Sequence, residues 1–382
     1  MTRIARRRWL LGAAALPGAL ALAGCSGLRI PFLGGMSGGA PGRCVDPGEE
    51  IPEEDLQTIA DGVMVDIDPP DEDVRFKPST LAISPDGTML AAAESYDRVA
   101  LEAQESRGII LWDAANGEVL RRISSPALGQ IAWDPDGSRL AIGEGRRIDL
   151  VDLEGTHQRT LLGHELPKGG VAYIGGLAYS PDGSMLASTG ADGTVRLWDM
   201  DPESCGEGQL LRPPEDSNGD VSWSPDGSTL AIGGFRQHNS ESPDNPPELW
   251  DPATGERKEV LEDIDGEVFA LSYSPEGDLV VVTDKPSALL VLSQDGSITE
   301  GPVIESTWFV DLAVGPGGVI ALHRDDELLR WNPRTGEELR DELAERTDSM
   351  VWSADGTVLY CLSAREGVLA LDGADMRTFA LP

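Results

Sequence analysis

Lysine is nearly absent from this 382-residue chain: Lys77, Lys168, Lys258 and Lys285 are all it has. Aromatic residues amount to 5%, and there are four histidines and four cysteines. With 66 acidic against 30 basic residues the formal charge is −36. That balance excludes nucleic acid and bare anionic lipid surfaces as partners, because both are held by clustered Lys and Arg. An electrostatically favoured partner is basic, and the bland role of such acidity is to keep an exported protein soluble. Catalytic constellations are missing as well. No two histidines stand at metal-ligand spacing, and there is no Gly-rich strand–helix phosphate loop and no Gly-x-Ser-x-Gly elbow. His157 and His238 read as loop residues, and His323 follows a strand. The chain is therefore read as non-enzymatic and without a cofactor. What it has in quantity is turn formers, 45 Gly and 27 Pro, which argue for many short elements rather than long helices.

The first residues, "MTRIARRRWLLGAAALPGALALAGCSG", combine a basic start with an apolar run from Trp9 to about Ala23. The run is short and interrupted by Gly and Pro, which marks an export signal rather than a spanning helix. "ARRRWLL" resembles a twin-arginine signal, with Trp9 where Phe is more usual. "LAGC", Leu22 to Cys25, resembles a bacterial lipobox. The resemblance implies removal of residues 1–24 and lipid attachment to the Cys25 thiol. Two acyl chains would then anchor the protein on the extracytoplasmic face of the cell membrane. The removed segment carries four arginines and no acid, so the charge falls from −36 to −40. Residues 25–74 read first as a Gly-rich tether and then as an acidic, Pro-broken one, with too little apolar content for a core.

From about residue 75 the chain repeats itself. "SPDG" at Ser84 returns as "DPDG" at Asp134, "SPDG" at Ser180 and Ser224, "SPEG" at Ser274, "GPGG" at Gly315 and "SADG" at Ser353. The intervals average about 45 residues, near the length of a propeller blade. Two residues before each Pro position stands a large apolar residue: Ile83, Trp133, Tyr179, Trp223, Tyr273, Val314 or Trp352. Pro and Asp-Gly close a tight turn, a β-rich run follows, and a third strand often ends in Trp-Asp. Seven four-stranded units cannot bury both faces alone. Stacked radially and closed into a ring, they do. The expected fold is all-β, a seven-bladed propeller over residues 75–382. Its last blade is completed either by "MRTFALP" at the C-terminus, the favoured choice, or by a strand from the tether.

The third copy carries a family resemblance: it is similar to a WD repeat. His164, Ser188, Asp192 and Trp198 stand where that family has a buried hydrogen-bonded tetrad, which implies a structural role for the four. Trp112, Trp250 and Trp331 occupy the tryptophan place in copies one, four and six. In the sixth, Asp325 stands at the aspartate place and Ala321 at the serine place. Otherwise most tetrad members are replaced, so the ring is expected to rest on packing.

Candidate binding residues lie just ahead of the inner strands, at the mouth of the central channel: Gln130, Asp220, Glu267, Asp311 and Asp348. The bland alternative is a set of solvated carboxylates. Insertions at Gly163–Gly176 and Gly234–Trp250 are natural recognition loops. With Cys25 lipidated, Cys44 and Cys205 are candidates for a disulfide in an oxidising compartment, and Cys361 reads as a buried apolar residue. Two functions follow. One is a monomeric, membrane-anchored scaffold for an envelope or secreted protein. The other is a metal-dependent hydrolase or lactonase whose rim carboxylates converge on a cation.

Overall fold

In the computed structural model each copy of the repeat forms a four-stranded antiparallel sheet, and seven such sheets make the ring. The structure describes residues 42–51, 78–94, 108–124, 129–165, 172–202, 209–211, 219–233, 246–264, 266–284, 288–303, 311–324, 327–343, 347–363, 367–373 and 375–379. The segment read as an export signal and Cys25 lie outside them, as do Cys205, His238, residues 166–171 of the first insertion and residues 234–245 of the second.

Strand order within a blade follows the chain from the axis outwards. Blade three is typical: Ile174–Tyr179 is innermost, then Met185–Gly190, Val195–Asp199 and Gln209–Leu211. The turn between the first two strands is the SPDG motif. In blade one the Ser84 hydroxyl donates to Asp86 at 2.6 Å, and the Met89 amide donates to Ser84 Oγ at 2.9 Å. Gly87 closes the turn at φ +73°, a left-handed conformation that glycine adopts without steric cost. Blades three, four and seven repeat this arrangement with Ser180/Asp182, Ser224/Asp226 and Ser353/Asp355.

The middle strands are apolar without a break ("MLAAA", "RLAIG") because each has a neighbouring blade on both faces. Alternate residues point opposite ways along a strand. Leu90 and Ala92 accordingly pack towards blade seven, while Ala91 and Ala93 pack towards blade two. Seven buried clusters result, each drawn from two adjacent blades.

The ring closes between blades seven and one. Asp375–Phe379 is the outer strand of blade seven, so the C-terminal segment completes its own blade as expected. Tyr360 and Phe379 of blade seven meet Leu90, Ile110 and Trp112 of blade one. The Tyr360 hydroxyl donates to the Ala114 carbonyl at 2.8 Å, and Arg377 donates to the Ala115 carbonyl at 2.9 Å.

One part of the expected tether is not free chain. Arg43–Val45 adds a fifth strand to blade two, antiparallel to its outer strand His157–Leu162. Val45 is buried there at 2% exposure. Three residues in β geometry suffice because an outer strand offers unpaired amide and carbonyl groups ready to accept another strand.

Candidate functional site

The tetrad of blade three is assembled. Ser188, at the centre of the second strand, is fully buried. Its hydroxyl accepts from the Trp198 indole N–H at 2.9 Å and donates to His164 Nε2 at 2.8 Å. The ring proton therefore sits on Nδ1, which faces Asp192 Oδ1 at 3.1 Å. Asp192 also accepts from the Glu165 amide at 2.7 Å and the Thr194 hydroxyl at 2.7 Å. Burial pushes its carboxyl up, but the hydrogen bonds from His164, the Glu165 amide and Thr194 outweigh that and leave it at about 2. Gly190 makes the close approach possible: a Cβ there would lie 2.3 Å from His164 Nδ1.

The channel-mouth residues are used differently. An inner strand has one edge turned to the channel, and its amides there have no partner within the blade. Side chains of the preceding blade supply one. The Leu271 amide donates to Asp220 at 3.3 Å and the Met350 amide donates to Asp311. Ser222 Oγ accepts from the Tyr273 amide at 3.0 Å, and Ser349 Oγ accepts from the Leu81 amide at 3.1 Å across the closing interface. Gln130 accepts from the Thr80 hydroxyl at 3.4 Å. Glu267 and Asp348 lie at the starts of the inner strands of blades five and seven, with side chains outside the described residues. Asp220 is partly buried, and desolvation pushes its carboxyl up to about 6 against the opposing effect of the Leu271 amide. Among the described residues, no three of His, Cys, Asp and Glu are grouped to hold a metal ion.

Blade three matches the family profile "WD domain, G-beta repeat" over residues 155–199. That span contains all four tetrad residues. Over 63% of its length the chain is 24% identical to WD repeat-containing protein slp1 of Schizosaccharomyces pombe, covering 57% of that protein. Over 41% of its length it is 32% identical to protein groucho of Drosophila melanogaster, covering 20% of that protein. It thus spans between a fifth and somewhat over half of these relatives. A solved structure titled Kuenenia stuttgartiensis hydrazine synthase superposes with a TM-score of 0.62 at 15% identity, covering 82% of this chain and 99% of that one. That likeness shows the propeller fold and nothing about activity.

Blades one, four and six keep the tryptophan of the WD pattern and replace its partners, while blades two, five and seven have Val151, Leu292 and Leu371 at that place. In blade one Ala92 takes the place of Ser188, and the fully buried Trp112 indole N–H has no acceptor among the described residues. In blade four Trp250 donates to Glu248 at 3.0 Å, and Arg257 donates to the same carboxylate at 2.6 Å. In blade six the register corrects the sequence reading. Ile320 lies opposite Trp331 just as Leu186 lies opposite Trp198, so Leu322 and not Ala321 stands at the serine place. Asp325 is outside the described residues. Two histidines are corrected too: His157 and His323 are strand residues, and His323 is buried. His157 meets the Thr160 hydroxyl at 2.8 Å, and Thr160 donates to the buried Asp149 at 2.5 Å. Cys361 is a free thiol at 0% exposure, and burial pushes its pKa up, so it is inert. Cys44, on the added strand, is disulfide-bonded.

Proposed function

We propose that the chain is a lipid-anchored, extracytoplasmic propeller that acts as a non-enzymatic scaffold for another envelope or secreted protein. The observation that carries this reading is the use of the channel-mouth carboxylates. Asp220 and Asp311 accept backbone amides of neighbouring blades and so serve the ring's integrity. A hydrolase would need those oxygens directed at a cation. The likeness to WD-repeat proteins adds to it, one of the relatives being by name a complex subunit, THO complex subunit 3 of Arabidopsis thaliana. The resemblance of the first residues to an export signal and a lipobox supports the location.

Anchoring and the disulfide are linked by arithmetic on four cysteines. Cys361 is free, so within the chain Cys44 can pair only with Cys25 or Cys205. A thioether on Cys25 requires Cys205. Arg159 favours that pairing: it donates to the Pro202 carbonyl at 2.8 Å and pairs with Asp46 at 3.7 Å, gripping chain close in sequence to both Cys205 and Cys44. The test is non-reducing peptide mapping with metabolic alkyne-palmitate labelling of the full chain. The expected result is a Cys44–Cys205 cross-linked peptide with label on Cys25. A Cys25–Cys44 peptide would remove the anchor. For the scaffold, the mature protein is the bait against detergent-solubilised envelope, with and without EDTA. The expected outcome is a stoichiometric, EDTA-insensitive partner; loss of stability on EDTA treatment would favour the hydrolase instead.

A further inference from the structure

On the face formed by the SPDG turns, a cleft of about 390 Å³ opens between blades three and four. That volume is at the small end of ligand sites, suited to a side chain rather than a cofactor. Pro181, Trp223, Pro225 and Pro252 form rigid apolar walls, and Asp182 and Asp226 stand on either side. The Trp223 ring is held by its N–H bond to the Ala178 carbonyl at 3.0 Å. Asp182 Oδ1 accepts the Ser180 and Ser184 hydroxyls at 2.7 and 2.8 Å and the Ser184 amide at 3.0 Å. Its second oxygen has no bonded partner among the described residues. Hydrogen bonds from these serines hold Asp182 below the usual carboxylate range, and those of Ser224 and Ser228 hold Asp226 at about 2, so both are charged at any physiological pH. No cation lines the cleft. Lys258 is tied to the Ser228 carbonyl at 2.7 Å.

Elsewhere in the ring a guanidinium of the chain itself reaches the corresponding turn. Between blades five and six, the turn "WNPRTGE" corresponds residue for residue to "WDPATGE" of blade four, so Arg334 stands where blade four has Ala253. The Arg334 guanidinium reaches back to the preceding blade and pairs with Asp278 at 3.1 Å and Glu276 at 4.0 Å. Glu276 occupies the place of Asp182 in its own turn, Asp278 that of Ser184, and Gly317 of blade six that of Asp226. Each pair of blades thus has two carboxylates, differently placed, and only one pair has its own guanidinium. We propose that the cleft between blades three and four binds an arginine side chain of the protein partner, as the carboxylates of blade five hold Arg334 within the chain. This rests on the scaffold reading and names its chemistry. A planar guanidinium fits walls of Pro and Trp and can pair with a carboxylate through two N–H groups, which an ammonium cannot.

The test uses a fluorescein-labelled peptide, Gly-Leu-Arg-Pro-Leu-Gly, and its lysine counterpart, titrated into the mature protein at about 0.15 M salt. The arginine peptide should bind at one site and at least about tenfold more tightly than the lysine peptide, a factor set by paired rather than single N–H contacts. Ala253→Arg, checked for an unchanged or higher Tm, should fill the cleft and abolish binding. Arg334→Ala should open the second cleft and raise the stoichiometry from one to two. Equal binding of both peptides, or undiminished binding by Ala253→Arg, overturns the proposal. The envelope bait separates this from the scaffold reading. A partner retained by Ala253→Arg keeps the scaffold and sinks the cleft; peptide binding at the cleft with no envelope partner does the reverse.

Discussion

Trp198 in blade three and Trp112 in blade one stand at the same register position, both buried, and are held in place by different physics. Trp198 donates into a chain of four side chains in which each polar group is satisfied. Trp112 sits opposite Leu90 beside Ala92, in contact with Tyr360, Leu362 and Phe379 of the closing interface. Both tryptophans pack against the preceding blade, and blade three adds a hydrogen-bonded network that blade one lacks. The carboxylates show a parallel contrast. Asp192 has three kinds of donor and a lowered pKa, whereas Asp220 has one amide and a raised one. A ring needs every interface, but it does not need every blade to secure itself in the same way.

The contrast is broken most severely at the closing interface. Gly117 turns blade one at φ +74°, and a Cβ there would lie 2.2 Å from Phe379. Gly117→Ala should cost about 3 kcal/mol, combining left-handed strain with overpacking. Urea unfolding measures it, and a loss under about 1 kcal/mol would mean the C-terminal strand does not pack there.

His164→Ala is next. It strands the Ser188 hydroxyl and the Asp192 carboxylate, and should cost about 2–3 kcal/mol. Hydrogen exchange should locate the loosening in blade three and leave blade one protected. The cost should shrink below about pH 4, since Asp192 contributes stability above its unfolded pKa that is lost as pH falls towards 2.

Asp220→Asn should act in the opposite direction. A raised folded pKa means the wild-type carboxylate lowers stability as pH climbs from about 4 through 6. The amide keeps an oxygen for Leu271, so the variant should be more stable by on the order of 2 kcal/mol at pH 7.5 and no different at pH 4. Thermal melts at both values decide it; a destabilised variant at pH 7.5 would show that the charge itself is needed.

The smallest effect sharpens the comparison most directly. Trp198→Phe and Trp112→Phe remove similar volume, but only the first removes a made hydrogen bond. Their costs should differ by about 1 kcal/mol, with blade three losing more. Equal costs would mean that the tetrad adds nothing beyond packing.

Much of this was legible in advance. Unbroken β-rich apolar runs and a recurring Ser-Pro-Asp-Gly turn are local signals, so seven copies and their strand order follow from them. The tetrad was legible because its members sit at fixed distances along the chain. Arg43–Val45 was not, since three residues paired at a sheet edge leave no periodicity, and their partner strand begins more than a hundred residues later. The serine place in blade six was misread because a hairpin shorter by one residue shifts the count, and only register resolves it. The channel-mouth carboxylates were found by position, while their occupation by amides of other blades was invisible.

The sequence by itself determined the blade: the strands and turns depend on neighbours within about ten positions, and the number of blades on the same turn returning about every 45 residues. Only the tertiary structure decided how the blades hold one another. Leu81 meets Ser349, Gly117 meets Phe379 and Arg334 meets Asp278 across blade boundaries. Such contacts exist only once the ring has closed, and no local pattern encodes which distant side chain will be there.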